Sequence, residues 1–259
     1  MIAPLQPAVL PIEDAFDDLF AGPLSFCRGQ IRPAGRATRA IPGTALMDRQ
    51  VFDPIIDAYA RGFPGGDRRA VISLWSQYYF SALLIPAMAA SLALDCRLPL
   101  GLEDIGVVFD PQTGQPLAFE MHRRCEHCPQ ADIFMRFEAI VHGHLTPLIR
   151  AIRQHAGLSQ RLLWENTGGY LAWILTEIEG TQPELAAKGW PLIRQPTWPG
   201  GGRNPLVDAI GTIDEEAGRR RRVCCLRYQL PGFERCEGLC PGRDGPPSPD
   251  EAASGRGTA

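Results

Sequence analysis

Apolar residues recur three and four positions apart through most of this chain, and that spacing predicts a mainly helical protein. The strongest pattern covers residues 68–94, which are rich in large aliphatic and aromatic side chains. We expect Pro86 to kink or divide this helix, because proline removes a backbone hydrogen bond and clashes with the preceding turn. Weaker patterns predict helices at residues 12–20, 51–59, 134–156 (interrupted at Pro147), 162–178 (with a weak point at Gly168-Gly169) and 206–219.

A β-hairpin is predicted among these helices. Val107-Val108-Phe109 and Leu117-Ala118-Phe119 are short apolar runs that flank the turn-forming sequence DPQTG. The predicted fold class is therefore α+β, predominantly α-helical, with a small antiparallel β-hairpin or sheet and a C-terminal cysteine-rich segment. We divide the chain into a mainly helical body (1–205), the cysteine-rich segment (206–241) and a tail (242–259) whose Gly, Pro, Ser and acidic content predicts disorder. The Pro- and Gly-rich residues 190–204 are expected to form a connecting loop.

Composition narrows the class of protein. The 259 residues suit one large domain, or one domain with a small appendage, and their net charge of −3 creates no field that would attract nucleic acid. The first twenty residues carry acidic side chains where a secretory signal would be basic. The longest apolar run, residues 80–94, is short for a membrane span and is expected to be a buried helix. We therefore expect a cytoplasmic protein whose cysteines serve metal or redox chemistry rather than disulfides.

Four of the eight cysteines lie close together near the C-terminus, in the sequence RRRRVCCLRYQLPGFERCEGLCP. They are Cys224, Cys225, Cys236 and Cys240, and four thiolates in so short a stretch are typical of a metal site. The turn signal Leu230-Pro231-Gly232 folds the two pairs towards each other. Because adjacent residues of a strand point to opposite faces, Cys224 and Cys225 can serve one centre only if their backbone is irregular.

This cysteine motif, with its ten-residue gap and the filler LRYxLPG, resembles that of the FhuF-type ferric-siderophore reductases. In that family the four cysteines hold a [2Fe–2S] cluster, which implies the same role for Cys224, Cys225, Cys236 and Cys240. The family places two residues between the last two cysteines, whereas this chain has three, residues 237–239. The order of the segments SLWSQYYFSALLIPAMAASL, HLTPLIRAI and LLWENTGGYLAWIL extends the resemblance over residues 50–241.

The resemblance implies a function. The protein is expected to transfer one electron from its cluster to a ferric siderophore, of the hydroxamate type, and so to release Fe(II) in the cytoplasm. The sequence contains no GxGxxG after a strand and no flavin motif, so we expect a separate electron donor, a ferredoxin or a flavin reductase. We also consider peripheral contact with the cytoplasmic face of the inner membrane. The arginines at 219–222, with Arg227, either form a solvated face or favour the reduced cluster and dock an anionic partner.

Two other functions remain open at this point. In one, zinc rather than iron occupies the C-terminal cysteines, and the protein is a zinc-stapled binding protein without redox activity. In the other, the chain is an accessory protein that binds siderophores or assists their biosynthesis without turnover. Iron and sulfide content distinguishes the first from the reductase, and turnover distinguishes the second.

A second group of potential ligands competes with the C-terminal cysteines. His122, Cys125, His127 and Cys128 fall within seven residues, which is cramped for four ligands of one ion. The alternatives are a metal site, a redox-active CxxC pair, a structural role, or a zinc ribbon that joins Cys125 and Cys128 to two of the C-terminal cysteines. The remaining cysteines, Cys27 and Cys96, are expected to be buried structural thiols.

Three further groups have both a structural and a functional interpretation. His142 and His144 lie two positions apart in a predicted helix, so they should not chelate one ion. The aromatic residues Trp75, Tyr78 and Tyr79 either belong to the core or line a pocket. The stretch Glu165-Asn166-Thr167 either packs within its helix, contacts the cysteine loop or recognises a hydroxamate.

Overall fold

The computed structural model describes residues 16, 18–35, 39–207, 209, 212–214, 218–236, 240 and 241. Helices dominate these residues, and the short strands form small sheets, so the predicted α+β, mainly helical class is confirmed. The helices are α1 (Arg49–Ala60), α2 (Arg68–Ala93), α3 (Ile133–Ile140), α4 (Thr146–Ala156), α5 (Gln160–Glu179), α6 (Pro183–Gly189) and α7 (Pro191–Arg194). The strands are β1 (Ile31–Pro33), β2 (Ile41–Pro42), β3 (Cys96–Arg97), β4 (Ile105–Phe109), β5 (Pro116–Met121), β6 (Glu126–His127), β7 (Thr212–Asp214) and β8 (Gly218–Arg220).

Helix α2 is the centre of the core. The Asp67 side chain caps it by accepting hydrogen bonds from the backbone N–H groups of Arg69 and Ala70. Of its 26 residues, 21 are buried, as expected of a helix that is apolar on all sides. The helix continues through Pro86, so this proline does not divide it, and the alternative that it kinks the helix stays a prediction. Pro86 is buried, and tertiary burial offsets a local cost of about 3 kcal/mol.

The length and composition of α2 would suffice to cross a membrane. In this structure, however, 83% of its most apolar window is buried within the protein. Buried core helices meet the same criterion, which agrees with the expectation that residues 80–94 belong to a buried helix.

The predicted hairpin is confirmed as β4 and β5, which pair antiparallel with an irregularity between Val108 and Phe109. It belongs to a four-stranded sheet with the order β1-β5-β4-β2, in which β1 runs parallel to β5. The ring of Phe119 on β5 meets that of Tyr79 on α2 edge-on at 5.2 Å between centroids. This contact fixes the sheet against the central helix, where Trp75 and Tyr79 are fully buried core residues.

The predicted helix at 134–156 is divided between α3 and α4 by a π-helical segment, Val141–Leu145, and Pro147 lies in the first turn of α4. His144 in this segment is fully buried. Its Nδ1 lies 2.8 Å from the Leu100 carbonyl oxygen and its Nε2 lies 2.8 Å from the Tyr79 hydroxyl. His142 is exposed and packs on Trp198, so the two histidines do not share a site, as predicted.

The remaining predictions have mixed outcomes. The helices at 51–59 and 162–178 are confirmed as α1 and α5. The helix predicted at 206–219 is wrong, because the described part of this stretch contains the antiparallel pair β7–β8. The loop predicted at 190–204 begins with the short helix α7. In the stretch predicted as a helix at 12–20, the structure describes Phe16 and residues 18–20, of which Phe16, Asp18 and Leu19 are helical. The rest of that stretch and the tail at 242–259 lie outside the described residues.

Candidate functional site

The C-terminal cysteines follow β8 in an irregular segment, as their adjacency predicted. Cys224 and Cys225 belong to no strand, and Leu226 after them has a φ of 65°, a left-handed conformation that is unusual for leucine. The backbone N–H of Leu226 donates a 3.4 Å hydrogen bond to the Cys224 sulfur. Because of this local turn, the side chains of the adjacent cysteines do not alternate between opposite faces as they would in a β-strand.

The predicted turn at residues 230–232 brings the second cysteine pair back to the first. Gly232 adopts a φ of 78°, which glycine tolerates without a steric penalty. After this turn, the Cys236 sulfur lies 3.1 Å from the Cys225 sulfur. The backbone N–H of Cys240 donates to the Cys236 carbonyl at 2.9 Å, and the Cys240 side chain is buried. Residues 237–239, the three-residue gap, lie outside the described residues.

The close sulfur pair is polarised. The hydrogen bond between the Cys225 and Cys236 sulfurs, together with the positive charges of Arg221 and Arg227, lowers the pKa of Cys225 to about 6. The same contact and burial raise the pKa of Cys236, and burial raises that of Cys224. The Cys225–Cys236 pair therefore favours one thiolate, and the thiolate is the form of cysteine that binds metals.

A buried polar network holds the start of the cysteine segment against α5. Arg221 is 8% exposed, and its guanidinium donates a 2.6 Å hydrogen bond to the Asn166 side chain. Glu165 is 1% exposed and lies 3.7 Å from the Arg221 Nε. Its carboxylate also accepts hydrogen bonds of 3.2 Å from the backbone N–H groups of Arg222 and Val223. One buried negative charge thus neutralises one buried positive charge and fixes the backbone before the cysteines.

The same network reaches α2. The Ser73 hydroxyl donates a 2.7 Å hydrogen bond to the Cys225 carbonyl. The Asn166 amide donates to the Ser73 carbonyl at 3.1 Å and to the Ser76 hydroxyl at 2.9 Å. Sequence reasoning left the role of Glu165 and Asn166 open, and the structure places both against the cysteine loop. The sequence-based reasoning missed Ser73 and Ser76, although two serines inside an apolar helix are a signal of buried polar contacts.

The arginine run does not form a uniform solvated face. Arg221 is buried in the network, whereas Arg222 is exposed. Arg220 is partly buried and its Nε donates a 3.1 Å hydrogen bond to the Cys240 carbonyl. Arg227 is also partly buried and lies over the ring of Phe233 at 5.4 Å. The arginines therefore serve both to position the cysteine segment and to make its surroundings positive.

Gly168 permits the close approach of the chain that leads to the cysteines. A Cβ added at this position would lie 2.6 Å from the Cβ of Ala209 and closer still to its carbonyl oxygen. The glycine that sequence reasoning treated as a weak point of α5 is thus a point of backbone contact. Helix α5 remains continuous across it.

The competing group of ligands lies at the other end of α2. The pairing of β3 with β6 sets Cys96 opposite His127, and the Cys96 thiol forms a hydrogen bond with that of Cys125 and lies near Cys128. The Cys96 thiol also donates a hydrogen bond to the carbonyl of Ala90, near the end of α2. Ser73, which contacts Cys225, lies 17 residues earlier in the same helix, or roughly 25 Å away. A zinc ribbon shared with the C-terminal cysteines is therefore excluded.

The histidines near these cysteines are exposed, and His127 Nδ1 lies 3.1 Å from the Leu94 carbonyl. Within the parts of the chain that the structure describes, no three His, Cys, Asp or Glu side chains are grouped as ligands of a metal ion, and this holds for the C-terminal cysteines as well as for Cys96, Cys125 and Cys128. Cys27 and Cys96 are fully buried, as expected of structural thiols. The C-terminal segment is the candidate site because it combines a close sulfur pair with positive surroundings and buried support.

Comparisons with known proteins agree with this choice. The family described as "Ferric iron reductase FhuF-like transporter" matches residues 73–217, and the "FhuF 2Fe-2S C-terminal domain" matches residues 221–241, which include all four C-terminal cysteines. The chain is 28% identical over 177 residues to the "Ferric siderophore reductase" of Escherichia coli (strain K12). That alignment covers 66% of this chain and 65% of the relative. The family match covers more than half of the sequence and includes the 2Fe–2S domain, and the chain therefore belongs to the FhuF family.

Proposed function

We propose that the protein is a ferric-siderophore reductase in which Cys224, Cys225, Cys236 and Cys240 hold a [2Fe–2S] cluster. The observation that carries this proposal is the 3.1 Å approach of the Cys225 and Cys236 sulfurs, within the segment that matches the 2Fe–2S domain. Four cysteine thiolates are the usual ligand set of such a cluster. The activity itself is carried over from the name of the Escherichia coli relative.

The described residues fit this group in three respects. The sulfur–sulfur hydrogen bond and the positive charges of Arg221 and Arg227 favour a thiolate in the Cys225–Cys236 pair. The backbone N–H of Leu226 donates to the Cys224 sulfur, and such hydrogen bonds tune the potential of sulfur-ligated iron. Cys224 and Cys236 are partly exposed, which leaves the site near the surface where a bulky substrate can approach.

The chemistry of the substrate explains the need for this site. Ferric iron is a hard ion that oxygen chelators hold tightly, and one added electron lowers its charge and weakens those bonds. When bound, a [2Fe–2S] cluster supplies single electrons at a potential set by the surrounding protein. The residues of the chain hold the sulfurs near the surface, make their surroundings positive through Arg221 and Arg227, and fix the loop through Ser73 and Glu165.

The details of substrate and partner are further parts of the proposal. A hydroxamate siderophore is the substrate class that the family resemblance favours. A ferredoxin or flavin reductase supplies the electrons, since the sequence has no nucleotide-binding motif of its own. Residues 219–241 contain six arginines and two glutamates, a net charge of +4 in a chain of net charge −3, which suits an acidic donor. The same charge would favour peripheral contact with anionic lipids on the cytoplasmic side of the inner membrane.

The test begins with purification in the absence of air, followed by iron, sulfide and zinc analysis. We expect a red-brown protein with two irons and two sulfides per cluster that bleaches with dithionite. A colourless protein that contains zinc would instead support the zinc-stapled alternative. Addition of a ferric hydroxamate to the reduced protein, with a chelator that traps Fe(II), then tests turnover. A cluster that is not reoxidised would support the non-catalytic accessory protein.

A further inference from the structure

A cavity of about 570 Å³ lies beside Cys125, at the end of α2 that is remote from the candidate cluster site. This volume falls within the roughly 300–1,000 Å³ that is typical of small-molecule sites. Cys125 is partly exposed and lines the cavity. The wall combines a basic part with an apolar part, formed by Arg32, His122, Arg123 and Arg124 and by Phe20 and Met121. We call this space the Cys125 cavity.

The basic part of the wall can bind an anion although two of its arginines already contact carboxylates. The Glu120 carboxylate accepts hydrogen bonds from Nε and Nη2 of Arg32, and Asp104 accepts one from Nη2 of Arg123. A guanidinium has five N–H donors, so these contacts use only part of the capacity of each side chain. Arg32 and Arg123 therefore retain donors that are complementary to the carboxylates of a ligand.

The strand pairing at this place determines which thiol lies next to Cys125. Strands β3 and β6 are antiparallel, with Cys96 opposite His127, and the Cys128 N–H donates to the Asp95 carbonyl at 2.8 Å. Side chains alternate along an extended chain, so Cys125 lies on the same face as His127 and Cys96. Diagonal neighbours on one face of a strand pair are within reach of each other. The hydrogen bond between the Cys96 and Cys125 thiols agrees with this register.

The same register separates the two cysteines of the CxxC motif. The two residues between Cys125 and Cys128 form β6, so this part of the chain is extended. Three extended residues span about 10 Å, whereas the Cα atoms of a disulfide lie at most about 7 Å apart. Cys128 also lies on the opposite face from Cys125. Cys96, and not Cys128, is therefore the thiol that can pair with Cys125.

The two thiols of this pair differ in exposure. Cys125 is partly exposed at the cavity, whereas Cys96 is fully buried behind it. A molecule that enters the cavity thus meets Cys125 first and reaches Cys96 only through it. This division suits a disulfide-exchange reaction, in which one thiol attacks the incoming disulfide and a second thiol resolves the product.

We propose that Cys125 and Cys96 form a thiol–disulfide exchange site for an anionic low-molecular-weight disulfide, the oxidised form of a peptide thiol that carries carboxylates. The arginines of the Cys125 cavity bind the carboxylates, and its apolar wall packs on the rest of the ligand. This activity is separate from the proposed reduction of a ferric siderophore. It assigns a function to the HRRCEHC sequence, which the iron–sulfur site does not use.

The exchange has two steps. The Cys125 thiolate attacks one sulfur of the ligand, the S–S bond of the ligand breaks, and one half leaves as a thiolate. The other half remains on Cys125 as a mixed disulfide. The Cys96 thiolate then attacks the Cys125 sulfur, the second half leaves as a thiolate, and a Cys96–Cys125 disulfide forms. Two protein thiols are oxidised, one disulfide is reduced to two thiols, and the two protons that the protein loses are taken up by the two leaving thiolates.

The first experiment identifies the sulfurs that react. The holoprotein is incubated without air with glutathione disulfide, and the products are identified by intact mass and peptide mapping. We expect the wild-type protein to end as the Cys96–Cys125 disulfide. Cys96→Ser should stop at one glutathione on Cys125, and Cys125→Ser should leave Cys96 unmodified. Cys128→Ser is the matched control and should react as the wild type does.

The second experiment tests the recognition of negative charge. The rate with glutathione disulfide, which is anionic, is compared with that of cystamine, which is cationic. Each rate is divided by the rate of the same disulfide with 2-mercaptoethanol, which removes differences in intrinsic reactivity. We expect a preference of about tenfold for glutathione disulfide. Arg124→Gln should reduce the rate with glutathione disulfide about threefold, and Arg150→Gln, an exposed change outside the cavity wall, should not.

Each part of the proposal has its own contrary result. An unmodified Cys125 in the wild-type protein would overturn the exchange site. A mapped Cys125–Cys128 disulfide, or an adduct that persists in Cys128→Ser, would overturn the assignment of Cys96. Equal normalised rates with the two disulfides, or a loss in Arg124→Gln no larger than in Arg150→Gln, would overturn the recognition of an anion. If Cys96→Ser does not fold, the wild-type disulfide map and Cys128→Ser decide which thiol is the partner.

Discussion

The Ser73 hydroxyl in the central helix donates a 2.7 Å hydrogen bond to the carbonyl of Cys225, 152 residues further along the chain. This contact joins the most buried element of the protein to the loop that carries the candidate cluster ligands. The loop itself has little regular structure, so its shape depends on such long-range contacts. Because α2 is packed in the core, this contact restrains the loop that carries the sulfur atoms, as a well-organised metal site requires.

The first prediction concerns this hydrogen bond. Ser73→Ala should lower the free energy of unfolding by about 1–2 kcal/mol, because the Cys225 carbonyl loses its buried donor. The visible absorption of the cluster should also decay faster under an iron chelator. Ser81→Ala is the control, since the Ser81 hydroxyl bonds only to its own helix at Tyr78. Equal decay rates in the two variants would show that Ser73 does not position the cysteine loop.

The second prediction concerns the buried carboxylate of Glu165. Glu165→Gln removes a negative charge near the cluster, so the reduced form, which carries one more electron, is stabilised and the potential rises. Charges about 10 Å apart interact by about 1.7 kcal/mol at an effective dielectric constant of ~20, or roughly 70 mV. A dye-mediated anaerobic titration measures this shift. The exposed Glu184→Gln should leave the potential unchanged, and a negative shift in Glu165→Gln would contradict the assignment.

The third prediction separates the two groups of cysteines. Cys236→Ser should abolish the visible bands of the cluster, because it removes one of the paired sulfurs. Cys125→Ser should keep full iron and sulfide content, since Cys125 lies at the far end of α2 beside Cys96. Metal analysis of both variants after anaerobic purification is the measurement. Retention of the cluster in Cys236→Ser, or its loss in Cys125→Ser, would mean that the ligands lie elsewhere.

The fourth prediction concerns the buried histidine. A carbonyl oxygen only accepts, so Nδ1 of His144 carries the proton, and Nε2 accepts from the Tyr79 hydroxyl. Burial lowers the pKa of His144 to about 4. The unfolded chain, with an ordinary histidine pKa near 6.5, therefore binds the extra proton first as the pH falls. Stability from this residue is present above pH ~6.5 and is lost between pH ~6.5 and about 4, by roughly 3 kcal/mol in all.

Nuclear magnetic resonance of the imidazole carbons tests that prediction directly. The His144 signals should stay those of the neutral ring down to pH ~5, well below the ordinary pKa of a histidine. Titration of His144 with an ordinary pKa would show that its surroundings admit the charged ring.

The fifth prediction reverses an ordinary expectation. Alanine normally favours a helix over glycine by about 1 kcal/mol, but Gly168→Ala should destabilise the protein by about 1–3 kcal/mol. The added methyl group would collide with the backbone of Ala209 and displace the chain that leads to the cysteines. Thermal unfolding gives the sign. Gly143→Ala is the comparison, since its nearest contact would be an ordinary 3.4 Å, and stabilisation of Gly168→Ala would refute the close approach.

Local patterns predicted the elements whose signal is strong and self-contained. The helical spacing of apolar residues predicted α1, α2 and α5, and the turn sequence between β4 and β5 predicted the hairpin. The stretch at 206–219 failed because its helical pattern was short, and the packing of Ala209 on Gly168 and the pairing of β7 with β8 took precedence. Pro86 does not divide α2 for a similar reason, because burial outweighs a local preference.

The sequence by itself determined the chemistry of this protein: four closely spaced cysteines, a turn between them and the arginines beside them. Only the tertiary structure decided what supports and surrounds that chemistry. It selected Ser73, Glu165 and Asn166 as the residues that hold the loop. The reason is that a motif of ligands is local in the chain, whereas the partners of a buried polar group are fixed by packing between distant segments.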